Sequence, residues 1–98
     1  MVALHIALQD GFAGEPVVIR LDGREVYRKD AVRTDLRISR ADAVDLEAGS
    51  GLATVEVEAR GQAASASVDP LRTPYLSVNL DGSGRPQVRT STEPFAYL

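Results

Sequence analysis

Residues 52–69 read Leu-Ala-Thr-Val-Glu-Val-Glu-Ala-Arg-Gly-Gln-Ala-Ala-Ser-Ala-Ser-Val-Asp, and the pattern is written twice, once in each direction around a turn. Take Gly61-Gln62 as a two-residue turn of type II′, which accepts Gly at its first central position. Ala59 then faces Ala64, Val57 faces Ala66 and Val55 faces Val68. On the opposite side Glu58 faces Ser65, Glu56 faces Ser67 and Thr54 faces Asp69. Side chains alternate across a strand, so agreement between the halves predicts a paired hairpin with one apolar face inward.

Working outward, the same grammar recurs. Pro16 to Lys29 turns at Asp22-Gly23, a strong type I′ signal. Ile19 then faces Val26 and Leu21 faces Arg24, while Arg20 faces Glu25 and Val18 faces Tyr27. The Arg20–Glu25 pair would contribute about 0.2–1 kcal/mol and help fix the register. Pro16 suits the first residue of a strand, where no ladder donor is missed. Tyr75 to Asp81 turns Leu76, Val78 and Leu80 inward, and Gly82-Ser83-Gly84 reverses the chain. Val88 then opposes Val78 and Pro86 opposes Leu80, with the proline marking an edge strand.

The remaining strands are single. Val2 to Leu8 alternates, with Val2, Leu4, Ile6 and Leu8 on the inner side. Thr34, Leu36 and Ile38 predict a strand of about five residues. Ser39-Arg40-Ala41-Asp42 forms a turn, or one helical turn capped by Ser39. Ala43 to Glu47 places Val44 and Leu46 on one face. About eight short strands at spacings near ten residues, with no amphipathic helix, predict an all-β fold. The expected form is an antiparallel two-sheet β-sandwich, Ig-like or transthyretin-like, occupying residues 1–98 as one domain.

Composition narrows the function classes. The chain of 98 residues contains no cysteine, which excludes disulfides, Cys-based zinc sites and thiol catalysis. The net charge is −3, with acidic residues and arginines interspersed and Lys29 the one lysine. No cationic stripe is present, so nucleic acid is not the expected partner. No segment approaches the roughly 20 apolar residues that span a bilayer, and no basic segment precedes an apolar run at Met1. A cytoplasmic chain with no membrane contact is expected, if Met1 is its natural start.

Few residues carry chemistry. His5 is the single histidine, and any general base or pH switch of that type would have to use it. It stands mid-strand with no nucleophile at a motif spacing. A carboxylate pair such as Asp42 and Asp45 would need a cleft to serve as acid and base. Asn79, Asp81 and Ser83 place side-chain oxygens at alternate positions before Gly84, like the first half of a calcium loop. The twelfth position is Thr90 rather than the bidentate Glu, and a polar hairpin tip accounts for the same residues. Arg20, Glu25, Arg28, Glu56 and Glu58 put alternating charge on strand faces, as a solvated sheet surface does. The chain closes on Glu93-Pro94-Phe95-Ala96-Tyr97-Leu98. Termini are usually polar and loose, so Phe95, Tyr97 and Leu98 are expected to pack on the protein's own body or on a partner.

From Val17 to Gly61 the sequence resembles transthyretin-like and PEGA-type small sandwiches. The resemblance lies in Val17-Val18-Ile19-Arg20-Leu21-Asp22-Gly23-Arg24-Glu25-Val26, then Thr34-Asp35, Leu46-Glu47-Ala48-Gly49, and Val55-Glu56-Val57 leading to Gly61. Thr34-Asp35 replaces the Thr-Pro usual in those modules. The whole chain also looks like small bacterial proteins of Ig-like layout. Neither resemblance carries catalytic residues across, and both imply a binding or accessory role.

The expectation is therefore a non-enzymatic protein-interaction or structural module without a cofactor. It would bind another protein or a second copy of itself through edge strands near either terminus or through the tail. The alternative is a small-ligand or calcium-binding module using Asn79 to Gly84.

Overall fold

Alternation of apolar and polar residues turns one side of nearly every strand inward, and two such sides facing each other make the core. The computed structural model describes residues 2–35, 37, 40–49 and 51–93. Among these residues there are eight strands: β1 (Val2–Leu8), β2 (Ala13–Leu21), β3 (Arg24–Arg33), β4 (Asp42–Ala48), β5 (Ala53–Ala59), β6 (Gln62–Val68), β7 (Tyr75–Leu80) and β8 (Pro86–Ser91). They form two four-stranded sheets, ordered β4-β1-β7-β8 and β3-β2-β5-β6. All pairings are antiparallel except β1 with β7, which is parallel. The expected two-sheet β-sandwich is thus present. Its order departs from the immunoglobulin layout, in which the second and third strands lie in opposite sheets. No helix among the described residues is long and apolar enough to cross a membrane.

The core is the union of the inward positions. Leu4, Ile6 and Leu8 from β1 and Leu76, Val78 and Leu80 from β7 face Val17, Ile19 and Leu21 from β2 and Val55 and Val57 from β5. Burying each such side chain fully stabilises the fold by roughly 1.5–3 kcal/mol. Phe12, in the loop between β1 and β2, closes one end of this cluster.

Three expectations about register need correction. The hairpin of residues 52–69 turns at Arg60-Gly61, not Gly61-Gln62. Both turn residues have positive φ, 53° and 72°, which is the type I′ requirement. Ala59 accordingly pairs with Gln62, Val57 with Ala64, Val55 with Ala66 and Ala53 with Val68. The slip is two residues, so every side chain keeps its predicted face.

The second hairpin begins as predicted, with Asp22 and Gly23 at φ 50° and 84° and pairs Leu21–Arg24 and Arg20–Glu25. A bulge at Val26 then gives Ile19–Tyr27 and Val18–Arg28. Such an insertion is not encoded by alternation and must be accommodated by packing. Two more shifts follow toward Ala13. Pro16 therefore lies inside β2 at an irregularity, not at its start.

The strand expected around Thr34 is absent among the described residues. Thr34 instead ties the chain to the 9–12 loop: its hydroxyl donates to the Gln9 carbonyl at 2.6 Å and accepts from the Phe12 amide at 3.1 Å. Asp35 and Arg40 form an isolated bridge as the chain crosses to the other sheet. Leu36, Ile38 and Ser39, which the predicted strand and cap would use, lie outside the described residues. The first strand, the Ala43–Glu47 strand and the third hairpin stand as expected, the last with Val78–Val88 and Leu80–Pro86 opposed.

Candidate functional site

On the outer face of the first sheet, register alone aligns Asp45 of β4, His5 of β1, Tyr75 of β7 and Ser91 of β8 in one row. His5 Nδ1 lies 2.7 Å from Asp45 Oδ1. The imidazole stacks on the Tyr75 ring, centroids 5.0 Å apart and 18° from parallel. In the next row, Ala7 pairs with Ser77. Ser77 is 1% exposed, and its Oγ has no hydrogen-bond partner among the described residues. An Asp-His pair and a serine thus share a face, but no bond couples them. A nucleophile needs its base within hydrogen-bond reach; as placed, His5, Asp45 and Tyr75 make a cross-strand contact.

Asp42 and Asp45 are three positions apart on β4 and point to opposite faces. Asp42 accepts a 2.8 Å hydrogen bond from the Tyr27 hydroxyl and lies 3.5 Å from Lys29 Nζ. These contacts join β3 to β4, clasping the two sheets along one margin. Burial, then the hydrogen bond to Asp42, pushes the Tyr27 phenol well above its usual range. Burial alone would raise Asp42, but Tyr27, the Ala43 amide and Lys29 together hold it below its ordinary value. The two acids are not brought together as a catalytic pair.

Asp81 and Ser83 meet at the tip of the β7–β8 hairpin, whereas Asn79 stands on β7 and turns to another loop. Asn79 Oδ1 accepts from the Asp10 amide at 2.9 Å. Asp81 Oδ1 accepts from the Ser83 hydroxyl and from the Ser83 and Arg85 amides, at 2.7, 2.9 and 3.0 Å. Gln87 donates to Oδ2. The Ser83 hydroxyl and the Arg85 amide lower the Asp81 carboxyl below its ordinary value. Asp81 thus acts as the cap of its own turn. No group of three or more metal-ligating His, Cys, Asp or Glu side chains occurs among the described residues.

The outer face of the second sheet carries Glu25, Arg20, Glu56 and Ser65 in one row. Arg20 was expected to engage Glu25. Instead its Nη1 donates to Glu56 Oε1 at 2.8 Å, with Glu58 at 3.6 Å from Nη2, and Glu25 accepts from Arg28. Charge is compensated within the face, as in a solvated surface. At one end of the sheet Arg60 Nε donates to Glu15 Oε2 at 2.7 Å. The Glu15 side chain is 8% exposed; burial would raise its pKa, but the Ala13 amide and Arg60 bring it below the ordinary value.

The edges of the sheets differ from one another. β1, expected near an edge, is interior to its sheet, whereas β8 is terminal. Of the four terminal strands, β3 carries six charged residues and three register shifts. β4 carries Asp42, Asp45 and Glu47. β8 begins at Pro86 and carries Arg89. Those are the devices that keep edges from pairing. β6 reads Gln-Ala-Ala-Ser-Ala-Ser-Val, with no charge, no proline and an unbroken register to β5. Ala63, Ser65 and Ser67 are exposed. Among the described residues the two most exposed large apolar side chains flank the β5–β6 hairpin: Leu52, 75% exposed, precedes β5, and Leu71, 64% exposed, follows β6. Leu52 borders an open groove of about 500 Å³ with Ser67, Arg72 and Thr92. The tail residues Phe95, Tyr97 and Leu98 lie outside the described residues. Sequence reading missed β6 as a candidate because its edge position depends on sheet order, though its lack of charge was visible. Compared with protein-family models, curated proteins and solved structures, the chain matches none.

Proposed function

We propose that this chain is a non-enzymatic protein-interaction module that engages its partner along the free edge of β6. The observation that carries the reading is the contrast among the four terminal strands: three are guarded by charge, proline or bulges, and β6 is not. An unguarded edge offers a row of main-chain donors and acceptors to an incoming strand. Leu52 and Leu71 add apolar surface beside it. Phe95, Tyr97 and Leu98 are proposed as a further apolar contact, since Thr92 brings the chain to the same groove as Leu52.

The test compares binding by the unmodified chain with binding by Ser65→Lys. Ser65 is exposed on β6, so the substitution places a charge on the edge without touching the core. Association should be lost while the melting temperature is kept. Equal association by both proteins would overturn the reading.

A further inference from the structure

The hydrogen-bonding pattern of the β5–β6 hairpin determines which main-chain groups β6 leaves open. In a two-residue hairpin the pair flanking the turn is hydrogen-bonded, and bonded and non-bonded pairs then alternate. Ala59–Gln62, Val57–Ala64, Val55–Ala66 and Ala53–Val68 are therefore bonded pairs. The amides and carbonyls of Ala63, Ser65 and Ser67 point the other way, toward the free edge. These three positions are symmetric about Ser65. Laid antiparallel on itself, β6 pairs Ser65 with Ser65 and Ala63 with Ser67, and every outward donor meets an outward acceptor. No like charges are opposed, because the strand has none.

We propose that the occupant of the β6 edge is a second copy of this chain, paired antiparallel about Ser65, so that two four-stranded sheets become one of eight. This rests on the β6 reading above and names its partner. A two-fold axis at Ser65 makes the contact isologous and closed, so it stops at two chains. The same alignment carries Leu71 of each copy toward the Arg60-Gly61 turn of the other. By contrast β4, paired about its central residue Asp45, would oppose acid to acid, which is unfavourable. A single strand seam is small beside the roughly 1,200–2,000 Å² of a stable complex, so the dimer forms in a concentration-dependent way.

The chain has no cysteine, which makes crosslinking direct. Opposed residues of a bonded antiparallel pair have Cα atoms about 5.5 Å apart, within disulfide range. Ser65→Cys should give a covalent dimer under mild oxidation. Ser67→Cys alone should not, because its proposed partner is residue 63, whereas the Ala63→Cys, Ser67→Cys double variant should. Sedimentation equilibrium of the unmodified full chain should show a monomer–dimer exchange, weakened about tenfold or more by Ser65→Lys, since like charges would face each other. A chain that stays monomeric across the accessible concentration range, or Ser67→Cys crosslinking as readily as Ser65→Cys, would overturn the proposal. If the chain is monomeric but binds a different protein in a Ser65-dependent way, the self-pairing falls and the edge-binding reading stands. If neither association depends on Ser65, both fall.

Discussion

Among the glycines, Gly11 leaves the least room for a side chain. Its φ is 90°, and a Cβ there would sit on the Leu80 carbonyl oxygen. Gly11→Ala therefore combines left-handed strain with a clash against backbone that cannot swing away, and should cost about 2 kcal/mol or more. Gly23→Ala, with φ 84° but nothing within 4 Å, should cost about 1 kcal/mol. Urea denaturation of both variants checks the difference. Ser77 runs the other way. Its buried hydroxyl has no partner among the described residues, so Ser77→Ala should be neutral or raise stability by up to about 1 kcal/mol. A loss on that substitution would mean that the hydroxyl is satisfied in solution. None of this was legible from the residues alone. Gly11 is one of eight glycines, and alternation places Ser77 outward like any other strand serine. What distinguishes them is which neighbour reaches them, and that is set by other strands.

Strands were legible wherever alternation is strong, and their pairing only to within the geometry of the turn. Val55, Val57 and Ala59 announced an inward face whichever two residues turned the chain, because a slip of two preserves phase. Arg60 at φ 53° could not be foreseen as a turn residue. It takes that position while its side chain reaches Glu15, far away in sequence. The Val26 bulge was invisible for a similar reason: it brings Tyr27 to the margin where Asp42 waits on the other sheet. That clasp has a direct test. Tyr27→Phe removes the hydroxyl and leaves Asp42 with one fewer donor, so stability should fall by about 1 kcal/mol, read as a lowered thermal midpoint. The candidate edge was the least legible element of all, since nothing in Gln62 to Val68 says that no strand lies beyond it.

At the scale of the whole molecule, acid sensitivity follows from carboxylates held below their ordinary values. Glu15, Asp42 and Asp81 are each shifted in that direction. A lowered folded pKa gives stability that is full above the unfolded value and is lost as pH falls through the folded one. The thermal midpoint should thus hold above about pH 5 and drop below about pH 4. Glu15→Gln should flatten that drop, because the titrating group is gone. Charge alone foresaw none of this, since it depends on which acids gain donors. The parallel pairing of β1 with β7 has a different consequence, for how the chain acquires its structure over time. Parallel neighbours cannot be joined by a tight turn, and the whole of the second sheet is threaded between these two strands. During synthesis β2, β3, β5 and β6 can zip from adjacent hairpins while β1 has only β4 beside it. The first sheet is completed when β7 emerges and docks beside β1, with β8 adding to its outer edge afterwards. Closure of so long a loop precedes any gain from it, so refolding should take milliseconds to seconds. Amides of β1 should gain protection from hydrogen exchange after those of β5.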